Sequence, residues 1–416
     1  MTRSAPRRQQ VRTPRGPSAL DEYRHLAAPF VAFIGLVVVA AVTYGLLTGD
    51  LGLPGDRSDN GSNGGPPRTP APSDVVIVDP RTEVPGSIVY VKAGNVWVQS
   101  GIVARQMTAS GGASGPSWSP DGAWIYYIET TVEYGRFPAA GTPRRYELHV
   151  PTLMRIRADG SDAEVLASGR YTTPNGYTWF YWMHDPVASS DGRTLALTSD
   201  GPNPLDSNVV LQLFDLESRT FSRPQVPETE PLGHQDPAWR SDGLVVYYVR
   251  NDRDGAIGRP AIFNLDTTTG RVRQTTGPGY LGPSLSPDGR FLAATRTDGF
   301  GTDVVVLDLT GGELLRVTTD GRSWSPAWSP KGDAIAFLHL DGGIVDLRMV
   351  PLEGTGPGWT AGEALNLTEV SGLDGASAPR WFIPADQLPP RPTSPAEPSE
   401  DPDPAVSGAP SASATP

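Results

Sequence analysis

The chain contains no cysteine, and of its 34 basic residues only Lys92 and Lys331 are lysine. Without cysteine there can be no disulfide framework, thiolate metal site, cysteine nucleophile or lipid-modified cysteine. Stability therefore has to come from packing. Outside the first 25 residues acidic side chains outnumber basic ones, 44 to 28. Within those 25, six arginines (Arg3, Arg7, Arg8, Arg12, Arg15, Arg24) oppose Asp21 and Glu22, a local charge of +4, so a chain total of -12 leaves -16 on the rest. That excess argues against nucleic acid as a partner, since counterion release needs a basic face. The sequence also lacks a Gly-rich phosphate loop, a Gly-x-Ser-x-Gly elbow and a His-Glu-x-x-His helix, and no cofactor is expected. With 47 Gly and 43 Pro in 416 residues there is little room for long helices. What is abundant is Val, Leu and Ile, with 13 Tyr, 11 Phe and 10 Trp, the composition of an all-β core.

One long apolar run stands out. Residues 26–47, LAAPFVAFIGLVVVAAVTYGLL, carry no charge over 22 positions, enough helix to cross a hydrocarbon core of about 30 Å. Arginine precedes the run, while Asp50, Asp56 and Asp59 follow it. The positive-inside rule thus predicts a single-pass cell-membrane protein: a cytoplasmic tail over 1–25, a transmembrane helix over 26–48 and the remainder outside the cytoplasm. A cleaved secretory signal is the competing reading, but the run exceeds the usual 7–15 apolar residues and lacks a small-x-small cleavage site after it. Residues 49–85 read as a flexible linker. Residues 386–416, rich in Pro, Ser and Ala and without aromatics, read as disordered.

Between them lies a repeat. Pro116-Ser117-Trp118-Ser119-Pro120-Asp121-Gly122 recurs at Pro186–Gly192, Pro237–Gly243, Pro283–Gly289 and Pro326–Gly332, with a degenerate sixth copy at Pro379–Pro384. Each copy supplies a short strand, an Asx-type turn with Gly at the positive-φ position, and an apolar second strand. Third and fourth strands follow, giving four-stranded blades. The array begins with three strands, near residues 88–107, that have no Pro-x-Trp strand before them. The copy around Trp381 supplies the missing one, which predicts a ring of six blades with a split closing blade and both sheet edges hidden.

The segments PSWSPDGAWIYYI, PSLSPDGRFLAA and PAWSPKGDAIAFL resemble the repeats of TolB-like six-bladed β-propellers, over roughly residues 86–385. Ala188 and Leu285 stand where the pattern has Trp. The resemblance implies a fold rather than an activity, since related propellers serve as docking scaffolds and as non-catalytic lids on peptidases.

In such a meander the Asp-Gly turns share one face, and loops joining strands two and three, or neighbouring blades, share the other. Both long insertions, 130–147 and 170–185, belong to this second face. The second insertion gathers Tyr171, Tyr177, Trp179, Phe180, Tyr181 and Trp182, with Arg144 and Arg145 in the first, a composition typical of interface centres. The same rings could equally cover blade 2, thin at Ala188. His184 with Asp185 and His234 with Asp236 precede the first strands of consecutive blades and are candidates for a metal site, against a structural capping role. The expectation is a monomeric, non-enzymatic scaffold or sensor for a protein, peptide or envelope glycan. The alternative is a metal-dependent hydrolase or lyase near His184 and His234.

Overall fold

The chain divides into two units, Met1–Pro67 and Arg68–Pro416. In the second, a computed structural model describes residues 76–78, 83–138, 142–201, 208–227, 233–251, 259–299, 301–354 and 356–388. The apolar run, the arginine-rich segment before it and the tail from 389 lie outside the described residues. Among the described residues no helix is long and apolar enough to cross a membrane.

In chain order the strands open with β1 (Val76–Val78), β2 (Val84–Lys92), β3 (Asn95–Gly101) and β4 (Val103–Gln106). Blade 1 is β5 (Ala113–Trp118), β6 (Trp124–Phe137), β7 (Arg144–Arg157) and β8 (Glu164–Ser168). A hairpin follows, β9 (Arg170–Thr172) and β10 (Thr178–Phe180). Blade 2 is β11 (Met183–Ala188), β12 (Thr194–Ser199), β13 (Val210–Asp215) and β14 (Thr220–Ser222). Blade 3 is β15 (Gln235–Trp239), β16 (Val245–Asn251), β17 (Pro260–Asp266) and β18 (Val272–Gln274). Blade 4 is β19 (Tyr280–Leu285), β20 (Phe291–Asp298), β21 (Gly301–Asp308) and β22 (Glu313–Arg316). Blade 5 is β23 (Ser323–Trp328), β24 (Ala334–Asp341) and β25 (Ile344–Glu353), completed by β26 (Thr360–Ala361) and β27 (Leu365–Asn366). The last strand, β28 (Arg380–Phe382), pairs antiparallel with β2 in the register Ser87↔Phe382, Ile88↔Trp381, Val89↔Arg380. The closing sheet therefore runs β28-β2-β3-β4-β1, and the six-bladed ring expected from the split blade is present. Its outermost strand, β1, falls inside the segment read as linker and pairs with β4.

Six apolar clusters hold the ring, each spanning one junction between neighbouring blades. Ile125 and Tyr127 of blade 1 pack with Val89 and Met107 of the closing blade, for example, and Leu338 and Leu347 of blade 5 with Ile88 and Trp97. Each fully buried Ile or Leu contributes roughly 1.5–3 kcal/mol. No junction is left without such a cluster.

The repeat turns form as their residues dictate. Ser119 Oγ donates to Asp121 Oδ1 (2.5 Å), the same oxygen accepts from the backbone N–H of Ala123 (3.0 Å), and Gly122 takes φ +69°. Ser189 with Asp191 and Ser286 with Asp288 repeat the bond. In blade 5, where Lys331 replaces Asp, Ser329 donates instead to Asp333. These bonds from serine pull the Asp121 and Asp191 carboxyls below their ordinary range.

Candidate functional site

The inner strands surround the axis, and those of blades 1 to 5 are bulged next to their proline. The residue before that proline is left-handed in these five blades: Gly115, Asp185, Asp236, Gly282 and Ser325, all with φ between +50° and +57°. For the two aspartates this costs backbone energy that glycine would avoid, which marks them as positioned groups. Two residues further on come Ser117, Val187, Ala238, Ser284, Ala327 and, in the closing blade, Arg380, and all of these except the buried Ser117 line the cavity on the axis. Five small or apolar side chains thus leave room for one guanidinium.

Towards the Asp-Gly turns the axis widens into a funnel of about 1130 Å³. Its wall carries Trp239, Trp328, Trp359 and Trp381, with Ala188 and Leu285 at the two positions that depart from the repeat. Its rim is built from turn residues, among them Asp288, Lys331 and Asp333. Arg380 lines both this funnel and the narrow waist beneath it, where Asp185 sits against Gly115 and Pro116. Burial raises the carboxyls of Asp185 and Asp236, the latter to about 6 with the charge of Asp185 adding to the effect; the positive charge of Arg380 opposes both shifts. Burial in turn lowers Arg380, and the two aspartates restrain that shift. Asp236 Oδ2 also accepts from the backbone N–H of Gly282 (3.1 Å).

The aromatic insertion sits on the opposite face. The sequence predicts a loop over 130–147, but residues 130–137 pair with 144–151, which extends the β6–β7 ladder to fourteen paired positions. The β9–β10 hairpin packs on that extension: Trp179 lies 5.1 Å from Phe137 and 5.6 Å from Tyr146, ring centre to ring centre. Phe180 is buried with Leu148 and Val150, and Tyr171 pairs with Tyr181. Tyr177 is half-buried, Arg144 and Arg145 are exposed, and Arg145 lies over Tyr134. Trp182, Tyr134 and Val132 remain exposed, at 45%, 60% and 57%. Part of the predicted patch is thus a small satellite core, and part faces outward.

The His/Asp pairs do not converge as imidazole ligands. His234 is buried, with Nδ1 accepting from the backbone N–H of Leu211 (3.0 Å) and Nε2 against the Pro227 carbonyl (2.9 Å). Both ring nitrogens are occupied, and burial lowers its pKa to about 4. His184 stacks on Trp182. Among the described residues no group of three or more His, Asp and Glu is arranged to hold a metal ion. Ser323, His339 and Asp320 do cluster, but Ser323 Oγ (3.1 Å) and Asp320 Oδ2 (3.2 Å) both meet His339 Nδ1, and Ser323 is fully buried. A nucleophile relay needs the acid and the hydroxyl on opposite ring nitrogens.

Arg380 was missed in the sequence, although aligning the six anchors exposes it: the position after proline reads Ser, Val, Ala, Ser, Ala and then Arg.

No family profile matches the chain. It is similar to an uncharacterised protein of Agrobacterium fabrum, 24% identical over 234 residues, which cover 56% of this chain and 67% of the relative. Among solved structures it is similar to TolB from Acinetobacter baumannii, with a TM-score of 0.51 and 20% identity. That match covers 71% of this chain and 66% of the other, so the chain spans just under two thirds of that structure's length. A putative TolB from Agrobacterium tumefaciens has a TM-score of 0.47 and 17% identity, covering 71% of this chain and 94% of the other. At these identities the likeness is one of fold, and the fold of this chain is an all-β, TolB-like, six-bladed propeller.

Proposed function

We propose that the protein is a membrane-anchored, extracytoplasmic, non-enzymatic scaffold whose funnel receives a protein or peptide partner. The funnel itself carries this reading: a concave space of about 1130 Å³ whose wall combines four tryptophans with serines and a few charged side chains. Aromatic walls of this kind suit proline-containing segments, whose preformed backbone loses little entropy on docking. The transmembrane helix expected over 26–48 supplies the anchor.

The test is photo-crosslinking from Leu285, replaced by a photoreactive residue, in cells expressing the full chain with and without Trp239→Ala. A discrete adduct that is lost in the Trp239 variant supports the funnel as the docking surface. Equal adducts from both chains would contradict it.

A second docking surface is favoured by the outward part of the aromatic insertion, where Trp182, Tyr134 and Arg145 are exposed beside Arg144. Shortening residues 170–185 and comparing recovered partners tests this face separately.

A further inference from the structure

Arg380 has an unusual situation. It is half-buried on the axis, and among the described residues no acceptor lies within hydrogen-bonding distance of its guanidinium; Asp185 and Asp236 act on it only through longer-range attraction. Neither aspartate lines the funnel, so a ligand entering from the Asp-Gly face meets the cation with its donors unused. A guanidinium has five N–H donors in a fork that matches a carboxylate. The wall above it is tryptophan. The complement of this site is a proline-rich segment bearing carboxylates.

Such a segment begins at the funnel itself. Leu388, the last described residue, lines the funnel wall. The sequence that follows it, PPRPTSPAEPSEDPD, holds six prolines and four carboxylates (Glu397, Glu400, Asp401, Asp403) against Arg391 alone. Glu397 is nine residue steps beyond Leu388, a reach of about 28 Å in extended polyproline geometry.

We propose that residues 389–403 of the chain itself occupy the funnel, with Arg380 taking one of the carboxylates between Glu397 and Asp403. This rests on the funnel being a peptide-binding surface and adds its resident occupant. The tail then competes with any external partner for the same tryptophans, so partner binding requires its release. Lys331 at the rim adds attraction there, while Asp288 and Asp333 oppose it, which concentrates recognition at Arg380.

Because the chain has no cysteine, Ala396→Cys in the full-length protein can be labelled uniquely with bimane, a fluorophore quenched on contact with tryptophan. The expected result is strong quenching that is relieved several-fold by Arg380→Gln. It is relieved equally by Glu397→Gln with Glu400→Gln, Asp401→Asn and Asp403→Asn, a variant that leaves the propeller untouched. A synthetic peptide of residues 389–403, added to this charge-neutralised chain, should bind and shift tryptophan emission, and should fail to bind when Arg380→Gln is also present. Unquenched label in the otherwise native chain, with the peptide still binding in trans, overturns the tail as occupant and leaves the funnel as a peptide site. No quenching and no peptide binding overturns both.

Discussion

Trp118 and Arg380 are 262 residues apart in sequence, yet the indole N–H of the first donates to the backbone carbonyl of the second at 3.1 Å. The bond crosses from blade 1 to the closing blade. Trp239 repeats it by donating to the carbonyl of Val187 in blade 2 at 3.0 Å. In these two blades the repeat's tryptophan is thus an inner-ring clamp as well as an apolar wedge. Trp118→Phe keeps the wedge and removes the clamp, at a cost of about 1 kcal/mol. Thermal unfolding should fall by roughly 2–4 °C. An unchanged midpoint would mean the bond contributes nothing.

Glycine matters unequally along the chain. At Gly122, φ is +69° and an added Cβ would land inside the ring of Phe382, which packs 5.4 Å from Trp118. At Gly111, φ is +76° but nothing lies within 4 Å of an added Cβ. Gly111→Ala should therefore cost only the backbone penalty of about 1 kcal/mol, and Gly122→Ala clearly more, because the closing strand has to move. Comparing the two by denaturant unfolding separates strain from clash.

The buried carboxyl of Asp236 gives a pH signature. Its folded pKa is raised to about 6, so it keeps its proton where the unfolded chain has lost it. Folded stability attributable to this group is present at low pH and is lost as pH rises from about 4 through 6. Asp236→Asn mimics the protonated form, so the variant should gain in midpoint relative to the native chain as pH rises from 4 to 7. Parallel curves would show that the carboxyl is not buried with Asp185.

The aromatic insertion divides into residues that pack and residues that face outward. Phe180→Ala opens the satellite core with Leu148 and Val150 and should cost roughly 3–5 kcal/mol locally. Amide exchange in the outer half of β6 and β7 should accelerate accordingly. Trp182→Ala, at a 45% exposed position, should stay within about 0.5 kcal/mol of the native chain.

The ring was legible because its signals are local and repeated: six prolines at a spacing of 43–70 residues, a turn after each, and an N-terminal array one strand short. The funnel was not, because it belongs to no single repeat. It arises where Ala188, Leu285 and the tryptophans of different blades meet around the axis, on the face opposite the insertions that composition singled out. The extended β6–β7 ladder was hidden by Gly135 and Pro138, which read as loop. In the ladder Gly135 pairs with Tyr146, where an added Cβ would press on Leu148 and Thr178. The axial pair Asp185 and Asp236 was noticed for its histidines, whereas the structure turns His234 into the packing and leaves the aspartates facing Arg380.

The funnel, the waist and every assignment of loops to faces depend on β28 lying beside β2. In a chain free of cysteine, Ser87→Cys combined with Phe382→Cys places one thiol on each of two directly paired residues. Peptide mapping after mild oxidation should recover a single intramolecular disulfide joining residues 87 and 382 in the monomer. Free thiols, or disulfides formed only between separate molecules, would contradict the closed ring.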